Sequence, residues 1–298
     1  VTQGNILLVT SADDSGSGTL RNAMEHAAPG DHIAFDPTVF SPEQPMTIQV
    51  LSALPRMSQG PITIDGSDAG VILDGSLLSQ GAAGLSIESD GNRIMGLEIV
   101  RFPGSGIDIS GNGNVIGGNC LHGSGPNGQG NVISGNNGPG INIRHAGENV
   151  VSGNLIGTDR TGTVRMGNHD HGVFLWDAWE NRIGGAALGE RNVISANYFY
   201  GVEMQRINAR RNIVMGNMIG TDITGSVELS NVVTGVGLEL KASETLVANN
   251  LIVSTFGNCL IINDPGSSYN TVVGNRIGTD ITGTIPLSRS NFAGILMG

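Results

Sequence analysis

The chain has 298 residues, of which 47 are glycine, 4% aromatic and 14% charged, with a formal net charge of −11. So few charges exclude a charge-driven disordered chain, and this composition fits tightly turning β structure. The acidic balance argues against nucleic acid, which needs a basic face. It leaves room for an acidic polymer bound on a local basic patch.

No apolar run reaches the roughly 18 residues of a membrane span. The two cysteines, Cys120 and Cys259, lie far apart in sequence and read as buried thiols rather than a disulfide framework. The chain starts at Val1 without a signal peptide, so a mature or trimmed form is expected.

In chain order, Ile6-Leu-Leu-Val-Thr10 and His32-Ile-Ala-Phe35 read as strands. Between them, residues 17–28 read as a short amphipathic helix with Leu20, Met24 and Ala27 on one face, ended by Pro29-Gly30.

A five-residue template then recurs roughly every 30 residues: Gly, then inward, outward, inward, outward. Copies are Gly106-Ile-Asp-Ile-Ser110, Gly140-Ile-Asn-Ile-Arg144, Gly172-Val-Phe-Leu-Trp176, Gly201-Val-Glu-Met-Gln205 and Gly237-Leu-Glu-Leu-Lys241. Cys259-Leu-Ile-Ile-Asn263 carries Cys in the glycine slot, and Gly84-Leu-Ser-Ile-Glu88 and Gly294-Ile-Leu-Met-Gly298 flank the set.

Asn-bounded strands follow, such as Asn149-Val-Val-Ser-Gly-Asn154 and Asn212-Ile-Val-Met-Gly-Asn217. Asn tolerates the left-handed backbone of a tight turn and can bond the Asn one coil away, so stacked Asn ladders are expected at the corners. A third element, Ile-Gly-Thr-Asp-x-Thr-Gly, occurs at 156–162, 219–225 and 277–283. Asp159, Asp222 and Asp280 read as Asx-turns, since one carboxylate per loop is too few for calcium.

Short strands repeated at this period predict an all-β, right-handed parallel β-helix solenoid over residues 61–298. Residues 1–60 are expected to be its N-terminal strand and helix cap. No C-terminal cap is visible, which implies a further C-terminal segment or an oligomeric partner over that end.

The segment Thr10-Ser-Ala-Asp-Asp-Ser-Gly-Ser-Gly-Thr-Leu-Arg-Asn-Ala, with the Asn-Val-Ile-Ser-Gly-Asn and Gly-Asn-x-Ile-Gly-Thr-Asp-x-Thr-Gly motifs, resembles the bacterial right-handed parallel β-helix repeat proteins of the pectin-lyase-like group. The resemblance covers nearly the whole chain. The group includes pectate lyases, polygalacturonases, alginate-modifying enzymes and non-catalytic surface proteins. No catalytic signature of any one member is matched. The resemblance implies a secreted or cell-surface bacterial protein with a polysaccharide partner.

The template strands place three outward columns on the first sheet. One carries Asp108, Asn142, Phe174, Glu203 and Glu239; the next carries Arg144, Trp176 and Lys241; the third carries His145, Asp177, Arg206, Ala242 and Asp264. Leu240 counts among the inward positions. Glu203 and Glu239 are expected to stack on successive rungs, where like charges repel and one carboxyl should hold its proton.

Six aromatic residues fall between 174 and 200. Two of them, Phe174 and Trp176, point outward and suit stacking on sugars. An Arg144–Trp176 cation–π contact is the structural alternative. His169-Asp-His171 reads as a polar loop end with a supporting role in the groove, since a third metal ligand is lacking.

The leading expectation is glycoside hydrolysis by Glu203, Glu239 and Asp177, with no cofactor required. Asp108, Arg144, His145, Phe174, Trp176, Arg206, Lys241 and Asp264 would bind substrate. The first alternative is β-elimination on a uronate polymer, with calcium held by Asp108, Glu203 and Glu239. The second is a non-catalytic adhesin or scaffold.

Overall fold

The computed structural model describes residues 4–79, 81–254, 256–287 and 293–298. The chain winds into the expected right-handed parallel β-helix. Three parallel sheets run its length, and successive coils pair in register.

We number the sheets in the order a coil visits them. The first has 8 strands and holds the template, from Leu85–Ile87 to Ile295–Met297. The second has 10 strands, beginning with Ile6–Val9, and the third has 9, beginning with Met46–Gln49. The Asn-bounded motifs divide between two sheets: Val115–Gly117 and Val150–Ser152 lie in the second, Val132–Ser134 and Val193–Ile194 in the third.

Inward side chains stack coil on coil. Ile107, Ile141, Val173, Val202, Val236 and Leu260 share one register column, and none is exposed. Burial of such a side chain contributes about 1.5–3 kcal/mol, and the aliphatic column runs through the shared core.

Each of the three corners carries an Asn ladder. Asn92, Asn114, Asn149, Asn181 and Asn212 turn the first sheet into the second. Asn131, Asn154, Asn192, Asn217, Asn250 and Asn275 turn the second into the third. Asn136, Asn168, Asn197 and Asn231 return the chain to the first. Except at the last rung of each ladder, the amide bonds the next coil's Asn, and the ladders thereby satisfy buried groups that the sheets do not reach.

At the N-terminus, Ile6–Val9 pairs with His32–Phe35, which pairs with Thr63–Asp65, so the first strands are early rungs of the second sheet. The helix Leu20–His26 begins where Thr19 caps the Asn22 N–H, and it lays Leu20 and Ala23 on the core. Met24 and Ala27, expected on the core face, are only partly buried against it. Cys259 lies in the core, whereas Cys120, expected buried, is partly exposed.

The Gly-Thr-Asp loops follow third-sheet strands on alternate coils and fold down over that sheet. Each Asp carboxylate accepts from a Thr hydroxyl two residues on and from two later backbone N–H groups. These are closed Asx-turns. The loops also touch one another: Ile223 N–H donates to Gly162 O and Ile281 N–H to Gly225 O, at 2.9 and 2.8 Å. Beneath them Val132, Leu155, Val193, Met218 and Leu251 form a second apolar cluster on the outer face.

Candidate active site on the first sheet

The first sheet's outer face is not covered in this way. Its register revises one expected column. Glu203 pairs with Gly237, and Glu239 pairs with Gln205. The strand is Thr234–Glu239, with Val236 and Leu238 inward, so the template here starts at Gly235 rather than Gly237.

Both frames preserve the alternation, so pattern alone could not separate them. The observed frame keeps two carboxylates from stacking directly. It also puts Leu240 and Lys241 at the corner, with φ of 49° and 77°. Leu240, expected inward, is 41% exposed, and Ala242, expected outward, is fully buried.

Gly237 leaves a gap on the face, and the Tyr200 ring fills it. A Cβ on Gly237 would lie 2.7 Å from Tyr200 Cε1. Tyr200 Oη donates to Glu239 Oε1 at 3.1 Å. Burial, then the charges of Glu239 and Glu203, push the Tyr200 phenol far up. Burial, then repulsion from Glu203, also raises the Glu239 carboxyl above its usual range, although the Tyr200 hydrogen bond opposes this.

Glu203 is buried, with 1% exposure. Its Oε1 accepts from Gln205 Nε2 at 2.6 Å, and its Oε2 makes a very short contact with His171 Nε2. His171 is 6% exposed and stacked between Phe174 and Tyr200, with centroids 4.5 and 5.7 Å away. Its Nδ1 lies 2.6 Å from Asp170 Oδ1, a charge contact without hydrogen-bond alignment. Burial pulls the imidazole down, but Asp170 and Glu203 outweigh it and hold it above its ordinary value.

Two open basins lie on this face, on either side of a stacked pair. One, of about 540 Å³, is lined by residues including Arg144, His145, Asp170, Phe174 and Trp176. The other, of about 590 Å³, is lined by Arg206, Ile207, Leu240, Lys241, Asp264 and Pro265. The Arg206 guanidinium sits 4.2 Å over the Trp176 ring and joins them. The cation on Trp176 is thus Arg206; Arg144 instead pairs with Asp108 at 2.6 Å.

Other expected site residues are spread along the face. Asp108 also accepts from Asn142 Nδ2 at 2.9 Å, so its carboxylate is engaged. Asp177 sits at a positive-φ corner, one position past Trp176. It caps the Asn208 N–H and lies 4.0 Å from His145 Nδ1. Asp264 accepts from the Leu240 N–H. Asp177 is therefore not brought beside Glu203.

The calcium set of Asp108, Glu203 and Glu239 does not converge. Asp108 is tied to Arg144 and Asn142, Glu203 to His171 and Gln205. Among the described residues no three His, Cys, Asp or Glu side chains cluster as metal ligands.

From sequence, His171 has only a supporting role at a loop end and Tyr200 only a place among the aromatics, whereas the two form the centre of the cluster. The signal available was the crowding of His169, His171 and six aromatic residues into positions 169–200. His169 itself packs only on Tyr198, with centroids 4.8 Å apart.

No family model matches this chain, and no curated protein matches it. Solved structures do. A pectate lyase, Pel9A, superposes with a TM-score of 0.52 at 13% identity, over 100% of this chain and 78% of that one. An alginate lyase from Paenibacillus sp. str. FPU-7 gives a TM-score of 0.47 at 15% identity, over 99% and 98%. The first of these likenesses agrees with the parallel β-helix seen here. At these identities the likeness defines fold alone.

Proposed function

We propose that this protein is a polysaccharide lyase that eliminates across a uronate linkage on the first sheet. The observation that carries the reading is the pairing of one half-buried carboxyl of raised proton affinity, Glu239 hydrogen-bonded to Tyr200, with cations in both flanking basins of a chain of net charge −11.

Arg206, pre-set on Trp176, and Lys241 would neutralise the uronate carboxylate in one basin, and Arg144 and His145 would hold a neighbouring residue in the other. Glu239 in its ionised form would take the proton α to that carboxylate. The C–O bond to the leaving sugar breaks, the departing oxygen takes up a proton, and a C=C bond remains in the new end. A carboxyl with a raised proton affinity suits both proton steps near neutral pH.

Hydrolysis is less well supported. It needs two carboxyl groups facing the sugar, about 5–9.5 Å apart. Glu203 is buried beneath aromatic rings, and Asp177 sits at the corner. Incubation with polygalacturonate and alginate, following ultraviolet absorbance of unsaturated sugars alongside reducing ends, tests the reading. Both signals together, lost in Glu239→Gln, are expected. Reducing ends without absorbance would establish hydrolysis, and neither signal despite binding would favour a scaffold.

A further inference from the structure

Glu203 and His171 are too deeply buried to touch a polymer, yet they are charge partners on this face. A buried ion pair is seldom retained for stability alone, because desolvation offsets most of its attraction. What they do touch is the proposed reactive pair. The Tyr200 ring stacks on His171, Tyr200 donates to Glu239, and Glu203 lies in the register row beside the gap that Tyr200 fills.

We propose that the half-exposed Asp170 and the buried His171 and Glu203 form a positioning chain that sets the geometry and electrostatic environment of the Tyr200–Glu239 pair. His171 bridges the Asp170 and Glu203 carboxyls and is enclosed with Glu203 in an aromatic shell of Phe174, Phe199 and Tyr200. Burial and then repulsion from Glu203 raise the Glu239 carboxyl, and the His171 ring holds the phenol flat across Gly237.

The charged groups facing this chain are few. Asp170 precedes the first-sheet strand Val173–Trp176 and shares a basin with Arg144 and His145, Glu203 lies on Tyr200–Gln205 beside the neutral Gln205, Glu239 ends Thr234–Glu239, and Asp264 follows Leu260–Ile262. Arg206 is turned away onto Trp176.

The inference rests on the elimination reading only in naming Glu239 as the reactive group, and its test needs no substrate. In protein carrying 13C-labelled glutamate carboxyls, Glu239→Gln assigns the resonance, and its titration is followed by NMR. In the native chain the Glu239 midpoint should lie above the ordinary carboxylate range. Glu203→Gln should lower it by about one pH unit or more.

His171→Gln should lower it too, because it removes the partner that holds the Glu203 carboxyl beside the Tyr200–Glu239 pair. The double variant should show little further shift, since both act through one charge. An unchanged Glu239 midpoint in Glu203→Gln, or fully additive shifts, overturns the proposal.

Should the buried variants unfold, Asp170→Asn replaces them, because Asp170 is 42% exposed. It should lower the His171 midpoint, with Glu239 following. A His171 shift that leaves Glu239 unmoved also overturns the proposal. Loss of elimination activity with these shifts intact would discredit only the lyase reading.

Discussion

The outer faces of the first and third sheets share the same parallel ladder and the same two-residue alternation, yet they end in opposite states. The third sheet's outer column runs Val132, Leu155, Val193, Met218, Leu251, and the Gly-Thr-Asp loops bury it. The first sheet's column runs Asp108, Asn142, Phe174, Glu203, Gly237, and its flanking basins stay open. A β-helix can carry chemistry only where no loop folds back. The loops occupy alternate coils because a packed layer is about 10 Å thick and two rungs span about that distance.

Beneath both faces lie the ladders, and breaking one should have the largest effect. Asn192 Oδ1 accepts from Asn154 N–H and Nδ2, while its own Nδ2 donates to Val151 O and Asn217 Oδ1. Asn192→Ala strands buried donors and acceptors on two coils and should cost about 3 kcal/mol in urea unfolding. Less than about 1 kcal/mol would mean that water replaces the ladder.

The third sheet's outer column carries a charged seat beneath the first loop, and removing it would sharpen the contrast. Glu98 stands in register with Val132, and Arg160 reaches it from the first loop, at the loop position filled by Ile223 and Ile281 in the others. Burial raises the Glu98 carboxyl, with Arg160 opposing. Arg160→Ile alone should cost about 2 kcal/mol, less than a fully buried pair because Arg160 is 38% exposed. Adding Glu98→Val should restore stability to near the native level. A double variant as unstable as the single would show that this coil tolerates no apolar seat.

What was legible in the sequence was whatever obeys a period. Alternating aliphatics gave the core column, and Asn at the strand ends gave the ladders, because both repeat once per coil. The site does not repeat. Thr234-Gly-Val-Gly-Leu-Glu and Gly237-Leu-Glu-Leu-Lys241 both fit the template, and only the packing of Tyr200 against Gly237 distinguishes them. His171 reads as a loop residue because its role comes from rings on two strands, Phe174 and Tyr200, and a carboxylate on a third position, Glu203.

The open face depends on one absent side chain. Gly237→Ala should displace the Tyr200 ring, since the new Cβ meets two ring carbons at 2.7 and 2.9 Å. The backbone there needs no glycine φ, so the effect is steric and should cost about 1–2 kcal/mol. Release of the phenol from Glu239 should appear as a changed tyrosine ultraviolet absorbance. An unaltered spectrum would mean that the ring shifts without breaking its bond.

The smallest effect separates the two faces by pH. His171 titrates higher in the fold than its ordinary 6.5, so folding takes up protons at this site. Its stabilisation is complete below about pH 6.5 and is lost as pH rises through the folded midpoint, with a slope of at most about 1.4 kcal/mol per pH unit. The third-sheet loops respond at the other end. Asp159 and Asp280 are held below 3.8 by backbone N–H and Thr hydroxyl donors, against the burial of Asp159, so their contribution is lost as pH falls below that value. Urea midpoints should therefore decline on the alkaline side in the native chain and flatten in His171→Gln, while the acid limb stays in place. An alkaline decline that survives His171→Gln would assign that window to another group and weaken the case for a charged imidazole beneath the site.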